Sequence, residues 1–161
     1  MTQNNPKPAL LSRFYLLFIL LSLLSCSRHE PAKQRIYFPS ASWQRYDILK
    51  FGLPVVENEM SCDIIFELKC KKSFAYDELP LNMVLDTPSG EQRIKEYLMQ
   101  IRDKNGTLAG TLNGDTCTTR IFLKKNLYCS KKGVLKVEIE NLNPRMETEG
   151  VFSASLILVK R

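Results

Sequence analysis

The sequence contains a single histidine, and its position limits the chemistry open to the chain. His29 lies three residues after Cys26, in a polar stretch ahead of the patterned part of the sequence. Ser-His-Asp centres, Cys-His centres and multi-histidine metal sites all need histidine inside the folded domain. We therefore predict no catalytic residues, no metal site and no enzymatic activity.

Closely spaced Cys-x-x-Cys pairs are also absent, which argues against a four-thiolate zinc site. Besides Cys26, the cysteines are Cys62, Cys70, Cys117 and Cys129. In a continuous strand Cys62 and Cys70 would lie about 27 Å apart, far beyond disulfide reach. A disulfide would therefore join this strand to Cys117 or Cys129, and the alternative is that all four are small buried thiols of the core.

No apolar run is long enough to span a membrane, because the longest is the eleven-residue stretch 14–24, which is interrupted by Ser22. A spanning helix needs about 20 apolar residues. Lys7 and Arg13 precede this run, and Leu-x-Ser-Cys26 follows it, a block that resembles the lipobox of bacterial lipoproteins. We expect residues 1–25 to be a lipoprotein signal peptide. Cys26 would then carry diacylglycerol and an N-acyl chain, which anchor the protein stably to its membrane, and no other cofactor is expected.

The excess of positive charge is small. The chain has 23 Lys and Arg residues against 17 Asp and Glu, and removal of residues 1–25, with Lys7 and Arg13, leaves 21 minus 17, a formal charge of +4. A protein exported from the cytoplasm seldom meets nucleic acid, so we predict no nucleic-acid partner. Membrane contact is expected through the lipid anchor.

Residues 26–34 form the lipidated cysteine and a polar tether that contains Pro31, and 35–161 read as one domain with a two-residue period. The clearest strand is 62–70, where alternate apolar residues face one side. Similar patterns cover 81–86, 117–124, 134–140 and 151–159, with turn sequences between them. This spacing predicts an all-β fold, an antiparallel β-sandwich of jelly-roll or immunoglobulin-like type.

The segment 94–101 is ambiguous. Ile94, Tyr97, Leu98 and Ile101 have the spacing of an amphipathic helix. Tyr97, Met99 and Ile101 also fit one face of a strand, and the Asn105-Gly106 turn that follows suits a hairpin. We predict a strand.

Two aromatic residues are candidates for ligand or partner contact. Trp43, the sole tryptophan, and Tyr76 could stack on a sugar, although a lone tryptophan beside a first strand is more often part of the core. The loops 71–80 and 141–150 are further contact candidates. Carboxylate pairs such as Asp47 with Asp63, or Glu138 with Glu140, more often belong to a solvated face than to a catalytic centre.

Four segments resemble the gliding-motility lipoprotein GldH family of the Bacteroidetes. They are 43–54 (WQRYDILKFGLP), 76–81 (YDELPL), 101–110 (IRDKNGTLAG) and 150–156 (GVFSASL). Leu108, Val134 and the short Pro144-Arg145-Met146 motif depart from the family pattern, which indicates a divergent member.

The resemblance implies a non-enzymatic, lipid-anchored accessory component of the gliding machinery, linked to type IX secretion and acting by docking or assembly. Partners would be other envelope proteins, and the alternative is a carbohydrate-binding lipoprotein. Ser27 is not the aspartate that retains some lipoproteins on the inner membrane, and 28–30 lack an acidic run for surface export. We therefore expect an outer-membrane lipoprotein that faces the periplasm.

Overall fold

The computed structural model describes residues 31–161, which fold into antiparallel strands joined by turns. The strands are β1 (Ala32–Tyr37), β2 (Ser42–Gln44), β3 (Leu49–Val55), β4 (Met60–Lys71), β5 (Glu78–Asp86), β6 (Gln92–Gln100), β7 (Thr111–Asn113), β8 (Thr116–Cys129), β9 (Gly133–Asn141), β10 (Glu147–Glu149) and β11 (Val151–Lys160). The prediction of an all-β antiparallel fold is confirmed.

Two sheets contain most of the strands. One has the order β1-β11-β4-β8-β7 and the other β3-β9-β5-β6, while β2 and β10 form a separate two-stranded ribbon. Their inward faces contribute to one apolar core, in a sandwich-like arrangement. The edge strands β1 and β6 lie close to β3 and β8 of the opposite sheet.

The alternation in β4 explains how this core is built. Cys62, Ile64, Phe66, Leu68 and Cys70 are all fully buried, and the sequence predicted this face correctly. In the other sheet Leu135, Val137 and Ile139 of β9 are buried in the same alternate pattern. Each strand therefore turns one face to the core, as a two-residue period requires.

Residues 92–100 form a strand, as predicted. Met99 and Ile101 are fully buried on one face, while Ile94 and Leu98 are exposed on the other. β6 pairs with β5 along its whole length. Contacts between paired side chains of the two strands favour the strand over a helix. A bridge between Arg102 and Leu108 closes the turn around Gly106.

The ordered domain starts earlier than the sequence suggested. β1 begins at Ala32, so 32–34, which we assigned to the tether, pair with Leu156–Leu158 of β11. Ala32 and Gln34 are weak strand signals on their own. Hydrogen bonding to β11 places them in the sheet, and this corrects the boundary. Among the described residues we find no helix with the length and apolar character needed to cross a bilayer.

Candidate functional site

The expected lipidation site, Cys26, and the histidine His29 lie outside the described residues. The anchor therefore stays a prediction. Within 31–161 we find no cluster of three or more histidine, cysteine or acidic side chains arranged to hold a metal ion.

Trp43 lies in the core, with 0% of its surface exposed. Its ring stacks on Phe38 at 5.7 Å between centroids and packs against Phe66 at 6.5 Å. The indole Nε1 donates a hydrogen bond to the carbonyl of Asp47 at 2.8 Å. A ring without an exposed face cannot stack on a sugar or contact a partner, so the expectation of a contact role for Trp43 was wrong.

Tyr76 is half-buried in the loop between β4 and β5. Its ring packs against Phe74 at 5.4 Å, and its carbonyl accepts a hydrogen bond from Arg102 at 3.4 Å. Trp43 and Tyr76 do not share a ring contact. Tyr76 thus stays a candidate contact residue on its own, without the aromatic partner that a sugar platform would use.

The four cysteines of the domain are buried free thiols. Cys70 lies opposite Cys117 in the β4–β8 register, and the Cys62 thiol neighbours that of Cys129. Burial away from water is the main reason that the pKa of Cys62 rises to about 12 and that of Cys70 to about 11. Thiols in this state are poor nucleophiles and ligands, because the thiolate is the reactive form.

Asp63, one of the candidate acids, holds a bulge together. Its carboxylate accepts hydrogen bonds from the Arg161 guanidinium at 2.6 Å and from the backbone N–H of Asn126 at 2.8 Å. The bond from Arg161 is the main reason that the pKa of Asp63 is lowered. Asn126 has a positive φ of 52° where the β4–β8 register shifts. Asp63 therefore has a structural role.

A concavity of about 670 Å³ lies on the outward face of the β1-β11-β4-β8-β7 sheet. We call it the basic groove. Its charged residues are Lys33 and Arg35 from β1, Glu67 and Lys69 from β4, and Arg120 from β8. The rest of its lining is small or polar: Ala109, Gly110, Thr111, Asn113, Thr118 and Ser153.

Glu67 lies at the centre of the basic groove with only 6% of its side chain exposed. Lys33 Nζ lies 2.6 Å from Glu67 Oε1, Arg120 Nη2 lies 2.7 Å from Oε2, and Arg35 Nη2 lies 3.8 Å from Oε1. Burial alone would raise the pKa of Glu67, but the hydrogen bonds from Lys33 and Arg120 outweigh it and lower the pKa. The ionised carboxylate thus orients cations from two other strands.

The basic groove was not predictable from the sequence, because its residues come from distant strands. Alternation in β4 put Glu67 and Lys69 on the wet face, but Lys33 fell in the assumed tether, and nothing local indicated that β1 pairs with β11. A single weak signal was available: lysine and arginine alternate with Gln34 at 33–35, as on the solvent face of a strand.

A second surface lies where β1 leads through β2 into β3. Tyr37, Tyr46 and Ile48 are exposed there, with 70% of Tyr46 accessible, around a concavity of about 630 Å³. We call it the tyrosine surface. The Arg45 guanidinium lies 5.9 Å from the Tyr46 ring centroid. Exposed tyrosine and arginine together are typical of protein contact surfaces.

Comparison with solved structures gives remote matches. A 4-O-methyl-alpha-glucuronidase with specificity for decorated arabinogalactans aligns with a TM-score of 0.42 and 16% identity, over 81% of this chain and 16% of that one. The infectious bursal disease virus VP2 subviral particle aligns with a TM-score of 0.36 and 12% identity, over 82% of this chain and 33% of that one. The chain thus spans a third or less of either structure.

Sequence comparison gives a direct match. The gliding motility lipoprotein GldH of Flavobacterium johnsoniae is 25% identical over 125 residues, which cover 78% of this chain and 77% of the relative. The sequence model of the GldH lipoprotein family matches residues 32–154, from the start of β1 into β11. Because this match takes in nearly all of the described domain, the chain belongs to the GldH lipoprotein family.

Proposed function

We propose that the chain is a non-enzymatic accessory component of the gliding machinery, linked to type IX secretion. It acts by docking onto other envelope proteins. The main observation that supports this proposal is the family match over residues 32–154, and the lipobox-like sequence that ends at Cys26 agrees with it. The domain is held by lipid on Cys26, at the periplasmic face of the outer membrane.

We also propose that the fold is a jelly roll. The eight strands of six or more residues give the sheet orders β1-β11-β4-β8 and β3-β9-β5-β6, with the short β7 added to the first. In a jelly roll the first strand lies beside the last, and the second lies beside the last but one. Among these eight strands, β1 lies beside β11 and β3 lies beside β9. This supports a scaffold role, since jelly rolls present faces and end loops to partners.

The tyrosine surface supports docking of a protein. Its exposed residues, Tyr37, Tyr46 and Ile48, combine apolar area with hydroxyl groups that bond at a partially wet boundary. Interfaces concentrate their binding energy in such side chains. β1, which carries Tyr37, begins at Ala32, close in sequence to the expected anchor. The surface would therefore meet partners that are themselves attached to the membrane.

Site-specific photocrosslinking tests the docking role. A photoreactive amino acid at Tyr46 in cells of the native host should yield adducts with envelope proteins, while the same group at Glu96, exposed on β6 of the other sheet, should yield few. Equal adducts at both positions, or adducts at Tyr46 that contain glycan and no protein, would contradict docking through the tyrosine surface.

A further inference from the structure

The cationic residues of the basic groove outnumber its acidic residues. Lys33, Arg35, Lys69 and Arg120 face one carboxylate, that of Glu67, and among the described residues no other acid lines the concavity. In residues 31–161 no carboxylate lies within 4.0 Å of the Lys69 ammonium. The groove therefore has an excess of three positive charges in a small volume, which attracts an anion.

The cations are held in place and still accessible. Arg120 uses Nε and Nη2 for Glu67, at 2.7 Å each, and 62% of its side chain stays exposed. Arg35 Nε donates to Ser155 Oγ at 3.1 Å, and its Nη1 donates to the Tyr37 hydroxyl at 3.3 Å. Because these bonds fix the guanidinium groups in advance, an anion would bind them at a reduced entropic cost.

The remaining lining suits a polar ligand with hydroxyl groups. Thr111, Thr118 and Ser153 provide hydroxyls, and Asn113 provides an amide. Strand register sets Tyr37, Ser153, Lys69 and Thr118 in one row across four strands. The exposed Tyr37 ring at the end of this row can stack on the apolar face of a sugar ring.

We propose that the basic groove binds a saccharide with negatively charged substituents, carboxylate or phosphate. Arginine matches both groups because its planar donors form paired hydrogen bonds with two oxygens. The hydroxyl lining contacts the uncharged part of the sugar, and Lys69 provides the unpaired charge. The charged side chains line a concavity, which suits a narrow chain better than a flat bilayer surface, so an acidic saccharide fits better than a membrane. This role goes beyond protein docking, and of the residues it uses only Tyr37 also belongs to the tyrosine surface.

The test is fluorescence anisotropy with the full-length lipidated protein in neutral detergent. The probes are a labelled galacturonate oligomer, which carries carboxylates, and a labelled phosphorylated glucosamine disaccharide. A neutral galactose oligomer serves as the uncharged control. Binding to either acidic probe, weakened by salt and absent with the neutral one, is the expected result, and the better probe identifies the charged group.

Matched lysine variants locate the site. Lys69→Gln should weaken binding about tenfold or more, since it removes a charge-assisted hydrogen bond. Lys136→Gln removes the same charge from an exposed position of β9 in the other sheet and should leave the affinity unchanged. Lys69 has no ion pair in the described part of the chain, so its loss should not unfold the domain, and equal melting temperatures would verify this.

The proposal would be overturned by equal weakening by both lysine variants, by binding to neither acidic probe, or by equally tight binding of a DNA oligonucleotide of the same charge. Binding only to vesicles rich in phosphatidylglycerol would also contradict it and indicate a membrane-surface role. None of these outcomes depends on the crosslinking pattern at Tyr46, so the two roles are tested separately.

Discussion

Because Trp43 is fully buried, its substitution should affect the stability of the domain. Trp43→Ala should destabilise the domain by about 3–5 kcal/mol, the usual cost of emptying a large buried aromatic site. Urea unfolding measures this loss. Tyr46→Ala is the matched control, because an exposed tyrosine should cost no more than about 0.5 kcal/mol. A Trp43→Ala protein as stable as the Tyr46→Ala protein would contradict the core position.

Glu67 makes the domain sensitive to acid. Its pKa is lowered in the folded state, so its stabilising contribution is complete above the unfolded pKa of about 4.3 and is lost as pH falls through the lower folded value. Glu67→Gln should cost about 1–2 kcal/mol at pH 7, since its cationic partners are partly exposed.

The difference between wild type and Glu67→Gln should then shrink below about pH 4. Thermal melts from pH 7 to pH 3 measure it. Glu138→Gln, which removes the partner of the exposed Lys50, should have little effect at any pH. A gap for Glu67→Gln that widens in acid would show that the carboxylate is not held ionised by its neighbours.

Single-residue inference from the sequence worked where burial follows alternation and failed where it depends on distant strands. Cys62, Cys70 and Cys117 lie on the apolar faces that their strands predicted. Trp43 was a candidate for sugar stacking as the sole tryptophan, with the core as its more frequent role, and its three-residue strand has too few positions for alternation to decide between them. Its burial against Phe66 arises from a contact that no local spacing encodes.

At the scale of elements, the β4–β8 pair fixes which thiols can meet. Prolonged oxidation with diamide at alkaline pH, which raises the small thiolate fraction of these buried cysteines, should give a bridge between Cys70 and Cys117, which the register pairs directly. A second bridge should join Cys62 and Cys129, whose thiols are neighbours. Peptide mapping without reductant identifies the bridges. A Cys62–Cys117 bridge in protein that keeps its native circular dichroism would contradict the register.

The approach of β7 to β8 depends on Gly110. A Cβ there would lie 2.5 Å from the Thr118 carbonyl oxygen, so Gly110→Ala should displace β7 and cost about 1–3 kcal/mol. Hydrogen exchange at Thr111–Asn113 should accelerate. Gly52→Ala is the control, since its nearest neighbour is a side-chain methyl of Val134 at 3.3 Å. Unchanged exchange in Gly110→Ala would argue against the close contact.

Strands with strict alternation were predictable, and strands defined by their neighbours were not. The alternation of apolar with polar residues along the sequence made β4 and β9 evident. β6 could be separated from a helix only by its turn sequence. β1 was cut short because the residues that begin it have little strand preference, and its position comes from pairing with β11.

For the whole molecule, we predict that attachment to a membrane depends on the sulfur atom of Cys26. Cys26→Ser should move the protein from the membrane fraction to the soluble fraction, because without lipid only the apolar run of residues 14–24 could hold it, and that run is shorter than a spanning helix. Fractionation with immunoblotting measures this. Ser27→Ala should leave the protein with the membranes, and membrane retention of the Cys26→Ser protein would contradict lipid anchoring.

The pairing of β1 with β11 also has a consequence for biogenesis. Arg35 of β1 bonds to Ser155 of β11, 120 positions further along the chain. As the chain emerges from its N-terminus, β1 must wait for almost all of the polypeptide before it finds its neighbour. Until then it presents unsatisfied amide and carbonyl groups that invite mispairing. The sheet that contains β1, β11 and β4 can therefore close only after nearly all of the chain has been made.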